Sequence, residues 1–285
     1  MGFLTILARR FVAGETAEEA IDAARKANAN GTASVLNYLG EDVTAPEDAR
    51  RAVQEYRRLL GLIHEHKVKA SISLKASQMG LLISREECLL NIRRVAEEAA
   101  QLGIFLWVDL AGSDLTQNTL DLFEVLRQEF SNVGLCLQAY LVRTGGDLDR
   151  LMRRPLHVRL CKGAYQEPST VAYAVKSAVD GNFRMLVQKV FDQRATHVVP
   201  AFATHDPALI DFIIAAAAHK KVGTDRFEFQ MLYGIRNHLL AGLAQRGFQT
   251  SVYIPYGSHW VPYVVRRLRE RKENIYFLIR NVFRA

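Results

Sequence analysis

The sequence lacks the long apolar run that would mark a membrane-spanning helix. No stretch of its 285 residues approaches the roughly 18–20 consecutive apolar residues that cross a bilayer. Residues 1–14 include two arginines, Arg9 and Arg10, but no apolar segment that ends in a small-residue cleavage site. We therefore expect a cytoplasmic protein, and peripheral attachment to the inner membrane stays an open alternative.

Cysteine is scarce, and its spacing argues against a cysteine metal site and against a disulfide-stabilised fold. The three cysteines, Cys88, Cys136 and Cys161, are odd in number and widely separated. They form no C-x-x-C pair, so the sequence predicts neither a metal site nor a disulfide framework. A reducing compartment fits this usage.

Nucleic-acid recognition motifs are also missing, although the net charge is +7. Much of the positive excess lies between Arg266 and Arg284. An anionic ligand, an anionic membrane surface and a solvated basic face all explain such an excess. Without an accompanying motif, the charge does not predict a nucleic-acid partner.

Short β-rich runs alternate with amphipathic helical stretches along the chain. Eight strands are predicted, at 33–38, 69–74, 105–110, 134–140, 157–161, 198–203, 226–231 and 250–254. Helices are predicted between them, at 46–64, 85–101, 118–129 and 170–191. This alternation predicts βα units and a parallel sheet.

The absence of a glycine-rich dinucleotide-binding turn decides the fold class. A doubly wound sheet with a dinucleotide site would place G-x-G-x-x-G after an early strand, and the sequence has no such turn. We therefore predict a distorted TIM-type (β/α)8 barrel over residues 32–285. An N-terminal helical segment, 1–31, precedes it, in which Thr16 and Glu19 form a capping box.

Polar side chains follow nearly every predicted strand. Barrel enzymes build their sites at the carboxyl ends of the strands, and burying polar groups there costs free energy unless they are paired or bind something. The residues at or beside these ends are Lys75, Asp109, Gln138, Arg159, Lys162, Tyr165, His205, Glu228, Gln230 and Tyr253. The sequence thus predicts a polar functional mouth.

A last helix follows the eighth strand and carries a polar face. Tyr263, Arg266, Arg267 and Glu270 stand at i, i+3, i+4 and i+7, so they share that face, and Pro262 suits its first turn. Two neighbouring guanidinium groups favour a carboxylate ligand between them. An i,i+4 pair of Arg266 with Glu270 on a solvated helix explains the pattern equally well.

Seven ordered segments resemble the proline dehydrogenase family over nearly the whole chain. They are SLK at 73–75, LQAYL at 137–141, RLCKGAY at 159–165, ATHD at 203–206, EFQML at 228–232, VYIPYG at 252–257 and YVVRRLRE at 263–270, followed by Asn274. The resemblance implies a distorted barrel that holds FAD at its mouth, with the terminal helix over that mouth. It also implies oxidation of L-proline to Δ1-pyrroline-5-carboxylate and transfer of electrons to a membrane quinone.

The resemblance also implies roles for individual residues. Arg266 and Arg267 would hold the proline carboxylate with help from Lys75, while Tyr263 and Leu232 would enclose the ring. Asp109 and Tyr253 would form a hydrogen-bonded pair near the substrate, and Arg159 would approach the flavin ring. The implied cofactor-binding residues are Gln138, Arg159, Lys162, Gly163, Ala164, Tyr165, Thr204, His205, Gln230 and Glu270.

Two details of this resemblance bear on specificity and on one loop. Relatives suited to hydroxyproline carry a smaller residue at the position of Tyr263, so tyrosine favours unsubstituted proline. The family usually has an acidic residue shortly after the position of Asp109, whereas this chain reads Asp109-Leu-Ala-Gly-Ser-Asp114. Either Asp114 replaces it or its function is absent from this chain.

Other functions stay open on the sequence alone. They are a flavin barrel of different specificity, a Schiff-base aldolase that uses Lys75 or Lys162, and a non-enzymatic interaction protein on a barrel scaffold. The tail, 274–285, mixes apolar and basic residues, which suits either a helix packed on the barrel or an interfacial helix. A separate pyrroline-5-carboxylate dehydrogenase is a further implied partner.

Overall fold

A computed structural model describes residues 10–192 and 197–269, with side chains described up to Val265 in the last helix. Eight parallel strands close into a barrel in sequence order. They are β1 Ala33–Tyr38, β2 Ala70–Lys75, β3 Leu106–Asp109, β4 Val133–Gln138, β5 Leu156–Cys161, β6 Val198–Ala203, β7 Glu228–Leu232 and β8 Gln249–Tyr256. All eight predicted strands and the barrel are confirmed.

One helix precedes the first strand, and each strand is followed by a helix. The helices are α1 Ala17–Ala29, α2 Pro46–Glu65, α3 Arg85–Gln101, α4 Ser113–Glu129, α5 Thr144–Leu151, α6 Lys176–Val190, α7 Pro207–His219, α8 Asn237–Gln245 and α9 Trp260–Arg269. Within the described residues, no helix combines the length and the apolar character that crossing a membrane requires.

Two element boundaries differ from the prediction for identifiable reasons. The helix predicted from residue 170 begins only at Lys176, because residues 169–171 form a turn and Ala172 forms an antiparallel bridge with Leu141. The sequence pattern assigns Arg226 to the seventh strand, but the residue ends a short 3-10 helix, Thr224–Arg226. In both cases a tertiary contact or a turn overrides the local apolar pattern.

The core lies between the barrel and its helices. Leu36, Ile72, Leu135 and Leu160 point outward from their strands and are fully buried in one continuous cluster with the helices. Each such side chain contributes about 1.5–3 kcal/mol on burial. Strands covered on both faces must be apolar almost throughout, which explains why the sequence shows no clean alternation.

Inside the barrel, alternate residues form layers. Val35, Trp107 and Ala201 pack together in one layer. Two residues further along β3 lies Asp109, and two residues beyond Gly134 on β4 is Cys136. Side chains alternate between the two faces of a strand, so every second residue points into the barrel. Each such residue further along the strand lies nearer the mouth. The polar residues of the mouth therefore stand on a packed apolar layer.

Helix α1 precedes the barrel and packs beside β1 and β8. The predicted capping box is confirmed, with the Thr16 hydroxyl and the Glu19 carboxylate each accepting from the other's backbone N–H. Its buried face, which includes Ile21 and Ala24, belongs to the same core cluster as the barrel. The division of the chain at residue 31 stays a prediction.

Candidate functional site

A buried ion pair stands at the centre of the barrel mouth. Arg159 on β5 donates from Nη1 to Oδ1 of Asp109 on β3, at 2.6 Å, although the two residues are 50 positions apart. Arg159 is only 2% exposed. Burial alone would lower the pKa of Arg159, but the charge of Asp109, together with smaller electrostatic contributions from other neighbours such as Glu228, outweighs burial and raises it. The guanidinium therefore carries its charge inside the barrel.

Asp109 has two further donors. The Ser73 hydroxyl donates to its Oδ2 at 2.7 Å, and the Tyr253 hydroxyl donates to the same oxygen at 2.9 Å. Burial, and after it the charge of Asp109, raises the pKa of Tyr253 well above its ordinary value. Tyr253 thus stays a hydrogen-bond donor. The predicted Asp109–Tyr253 pair is present in the structure, and Ser73 joins it.

Aromatic rings flank the guanidinium of Arg159. Its Cζ lies 4.5 Å from the centroid of the Trp107 ring and 5.4 Å from that of Tyr253. Cation–π contacts of this kind stabilise a desolvated arginine. Nη2 of Arg159 and Oε1 of Gln138 are buried and have no hydrogen-bond partner among the described residues. The mouth therefore offers one donor and one acceptor to a polar ligand.

Lys75 ends β2 and lies beside a cleft of about 380 Å³. Its Nζ is 3.4 Å from Oε2 of Glu41, a residue of the loop after β1. The Tyr165 hydroxyl also donates to that oxygen, at 3.1 Å. Tyr263 of α9 lines the same cleft. The structure thus brings Lys75 and Tyr263 together and adds Glu41, which no sequence motif indicated.

The start of α9 lies against the mouth through an apolar cluster. Tyr263 is 7% exposed and packs with Leu39, Ile235 and Val264, and Leu232 borders them. Arg266 and Arg267 lie in α9, and helical spacing places them on the face of Tyr263. Their side chains and all of Glu270 fall outside the described residues.

A second ionic cluster joins β5, α6 and α7 at the rim. The Nζ of Lys162 lies 2.6 Å from Asp180 and 2.8 Å from Asp206, and Lys176 pairs with both carboxylates. Burial alone would raise the pKa of Asp206, but its hydrogen bonds to Lys162 and Lys176 and their charges lower it to about 2. This cluster fixes Lys162, and Asp180 is a member that the sequence reasoning missed.

We expect Asp206→Asn to remove a pH-dependent part of the stability. An asparagine keeps the cap of α7, where Asp206 accepts from the Ala208 N–H, but loses the charge. A lowered carboxyl pKa stabilises the fold above pH 4, and that contribution is lost as the pH falls towards 2. After solvent screening, the expected loss at pH 7 is about 1 kcal/mol.

Urea unfolding of both proteins at pH 7, 4 and 2.5 tests this prediction. The difference in the free energy of unfolding should shrink steadily on acidification. A Lys162→Met control should remove part of the same difference. A difference that is constant with pH would contradict the assigned charge pairing.

Glycine is required where the chain leaves β5. Gly163 has φ +110°, and an added Cβ would lie 2.1 Å from Cδ1 of Tyr140. Next to it, the Thr204 hydroxyl accepts from the Asp206 N–H, and Nε2 of His205 accepts from the Leu232 N–H at 2.8 Å. A neutral His205 therefore carries its proton on Nδ1. The contact of His205 with Leu232 links the ends of β6 and β7.

Gly163→Ala is expected to destabilise the protein by about 1–3 kcal/mol, because the side chain adds strain at positive φ and displaces Tyr140. Gly146→Ala is the matched control, since a Cβ there meets nothing within 4 Å and alanine is the better helix former. Thermal unfolding of the two variants measures the contrast. Equal melting temperatures of the Gly163→Ala and Gly146→Ala variants would show that position 163 does not require glycine.

The loop after β3 receives a carboxylate from a distant segment. Oε1 of Glu167 accepts from the Ser113 N–H at 2.8 Å and from the Tyr140 hydroxyl at 3.3 Å. This explains why α4 begins at Ser113, earlier than predicted. Asp114 is exposed on the first turn of α4. The acidic group that interacts with this loop is thus Glu167.

The sequence matches a known protein family over most of its length. A family model described as "Proline dehydrogenase" matches residues 20–280. Proline dehydrogenase of Deinococcus radiodurans is 37% identical over 287 residues, which cover 98% of this chain and 91% of that protein. Proline dehydrogenase 1 of Bacillus subtilis is 34% identical over 277 residues, which cover 97% of this chain and 91% of that protein.

The fold also matches solved structures. A crystal structure of proline utilization A from Bdellovibrio bacteriovorus, inactivated by N-propargylglycine, superposes with a TM-score of 0.86 at 23% identity. The match covers 93% of this chain and 32% of that one, so this chain spans about a third of the larger protein. At this identity the likeness concerns the fold alone.

Proposed function

The chain belongs to the proline dehydrogenase family and is an oxidoreductase that acts on proline, and we propose that it transfers a hydride from L-proline to FAD. The product would be Δ1-pyrroline-5-carboxylate, and a membrane quinone would accept the electrons. The observation that carries this proposal is the buried, ion-paired Arg159, with one N–H donor left open at the mouth of the barrel.

The residues at the mouth fit a flavin. Nη2 of Arg159 and Oε1 of Gln138 are a buried donor and acceptor that have no hydrogen-bond partner among the described residues. The flavin, when bound, supplies the hydride acceptor, and Arg159 would stabilise the negative charge that develops there. The residues proposed to hold FAD are Gln138, Arg159, Lys162, Gly163, Ala164, Tyr165, Thr204, His205, Gln230 and Glu270.

The substrate would be held by its carboxylate. We assign this role to Arg266 and Arg267, since guanidinium groups bind carboxylates through paired hydrogen bonds, with Lys75 completing the positive site. Tyr263 and Leu232 belong to the apolar cluster at the mouth and would enclose the ring. Holding the substrate at several points places its reacting carbon at attack distance. The same cations lower the pKa of its amine.

Schiff-base chemistry is disfavoured by the surroundings of both candidate lysines. Lys75 faces Glu41, and Lys162 contacts Asp180 and Asp206. Each lysine thus forms an ion pair with a carboxylate, whereas a Schiff-base lysine must attack as a neutral amine.

An anaerobic visible spectrum of the FAD-supplemented protein tests the proposal. We expect L-proline to bleach the flavin band, and glycine and D-proline to leave it unchanged. Hydroxyproline should bleach it less, because Tyr263 restricts the space beside the ring. A bound flavin that L-proline leaves oxidised would contradict the proposed substrate, and a protein that binds no flavin would contradict the proposed cofactor.

Peripheral membrane contact would bring the reduced flavin to its quinone, and we propose it for the tail, 274–285, which lies outside the described residues. Liposome flotation of the intact chain should exceed that of a chain ending at residue 274. Equal flotation would remove this part of the proposal. A separate pyrroline-5-carboxylate dehydrogenase would then consume the product.

A further inference from the structure

A second carboxyl group stands behind Arg159. Nε of Arg159 donates to Oε1 of Gln230 at 2.6 Å, and Nε2 of Gln230 donates to Oε2 of Glu228 at 3.3 Å. Glu228 and Gln230 are two residues apart on β7, so both point into the barrel. The chain of contacts therefore runs from the half-buried Glu228 to the buried guanidinium.

Hydrogen-bonding chemistry fixes the orientation of the Gln230 amide. Arginine can only donate, so the amide must turn its oxygen towards Arg159. Its NH2 group then points at Glu228 and needs an acceptor there, because an unmade buried hydrogen bond costs about 1–3 kcal/mol. Gln230 is 1% exposed, so water does not readily replace Glu228. Without that acceptor, no hydrogen bond holds the NH2 group of Gln230 in this orientation.

We propose that Glu228 is a positioning residue for Arg159 and acts through the amide of Gln230. The inference rests on the proposed function in one respect, namely that Arg159 acts beside the flavin. Asp109 and Ser73 hold Nη1 of Arg159, whereas Gln230 holds Nε. Contacts on two sides prevent the guanidinium from rotating about the Asp109 contact. The direction of Nη2 towards the mouth then depends on Glu228.

The surroundings of Glu228 indicate that its role is to accept a hydrogen bond, which both the charged and the protonated carboxyl group can do. Its interacting groups are Gln230 on β7, Ser251 on β8, Arg159 on β5 and Lys69 just before β2. Burial raises the pKa of the Glu228 carboxyl, while these four groups oppose the rise. A protonated carboxyl still accepts through its carbonyl oxygen. An amide at this position should therefore replace the carboxylate.

Three variants separate positioning from other roles. Glu228→Gln keeps an acceptor, and Glu228→Met removes it with little change in volume. The double variant Glu228→Met, Gln230→Glu gives Arg159 a carboxylate that accepts in either orientation. Ser251→Ala is the matched control, because it removes another polar neighbour of Glu228 and leaves the amide of Gln230 untouched.

The first measurement is solvent exchange of the Arg159 Nε–H, followed by ¹H–¹⁵N NMR in the flavin-free protein. We expect slow exchange in the wild type, Glu228→Gln and Ser251→Ala. Exchange should be about tenfold faster in Glu228→Met, which corresponds to a loss of about 1.4 kcal/mol in the free energy that protects the Nε–H from solvent. The double variant should restore slow exchange. This readout is independent of proline oxidation, so it distinguishes failure of the inference from failure of the proposed function.

The second measurement uses the FAD-loaded protein. Glu228→Met should shift the flavin midpoint potential to more negative values, because Arg159 no longer stabilises the reduced form. The kcat for proline should fall about tenfold, with KM within about twofold, because Arg159 is not assigned to the carboxylate clamp. Unchanged exchange and potential in Glu228→Met would overturn the inference. Equal losses in Glu228→Gln and Glu228→Met would also overturn it, since charge would then be the essential property.

Discussion

Asp109→Ala is expected to lower the free energy of unfolding by about 3–5 kcal/mol, the largest loss that we predict for a single substitution. The physical reason is that Arg159, 2% exposed, would keep its charge without the carboxylate 2.6 Å away. An arginine cannot release its proton at any accessible pH. The guanidinium would then be a buried charge without its carboxylate partner.

Arg159→Met should cost less, about 1–3 kcal/mol. Asp109 keeps the hydroxyl donors of Ser73 and Tyr253, and a carboxylate that loses its cation can take up a proton. The two halves of one ion pair are thus expected to contribute unequally when each is removed alone. Both variants should lose flavin reduction by proline.

Urea unfolding at pH 7 measures this asymmetry. Tyr253→Phe is the matched control, because it removes one donor to Asp109 and leaves the ion pair, with an expected cost of about 1–2 kcal/mol. The double variant Asp109→Ala, Arg159→Met should be more stable than Asp109→Ala alone. If Arg159→Met proved the more damaging single change, the assignment of the buried charge would be wrong.

Arg266→Met is the second large effect, and we expect it to reduce kcat/KM for proline by about 10²–10³-fold. Removing one partner of a desolvated charge pair costs about 2–5 kcal/mol, mostly in binding. The loss should appear chiefly in KM, and acetate or another small carboxylate should inhibit the variant less than the wild type. Steady-state kinetics with a quinone analogue provide the measurement.

Arg246→Met is the control for this experiment, because Arg246 is exposed and its guanidinium packs over Phe248 at the end of α8. The competing interpretation of the α9 pattern, a surface pair of Arg266 with Glu270, predicts a stability change below about 1 kcal/mol and unchanged kinetics. An unaltered KM in Arg266→Met would favour that interpretation and exclude the clamp.

The strand ends separate what local sequence dictates from what tertiary contacts dictate. The sequence by itself determined the barrel, because eight buried runs separated by helical stretches allow few arrangements once a dinucleotide fold is excluded. It also determined that Lys75, Asp109 and Arg159 would face one mouth, since parallel strands present their carboxyl ends on the same side. Both conclusions depend on local pattern and on a general rule of topology.

Only the tertiary structure decided which groups pair. Four contacts of the mouth join residues far apart in sequence. They are Ser73 with Asp109, Glu41 with Lys75, Glu167 with Ser113, and Gln230 with Arg159, at separations of 36, 34, 54 and 71 positions. No periodicity in the chain relates such distant residues. Strand register and loop path bring them together, and a shift of one residue would turn every side chain of a strand to the other face. Residue types predicted a polar mouth, whereas closure of the barrel determined its ion pairs.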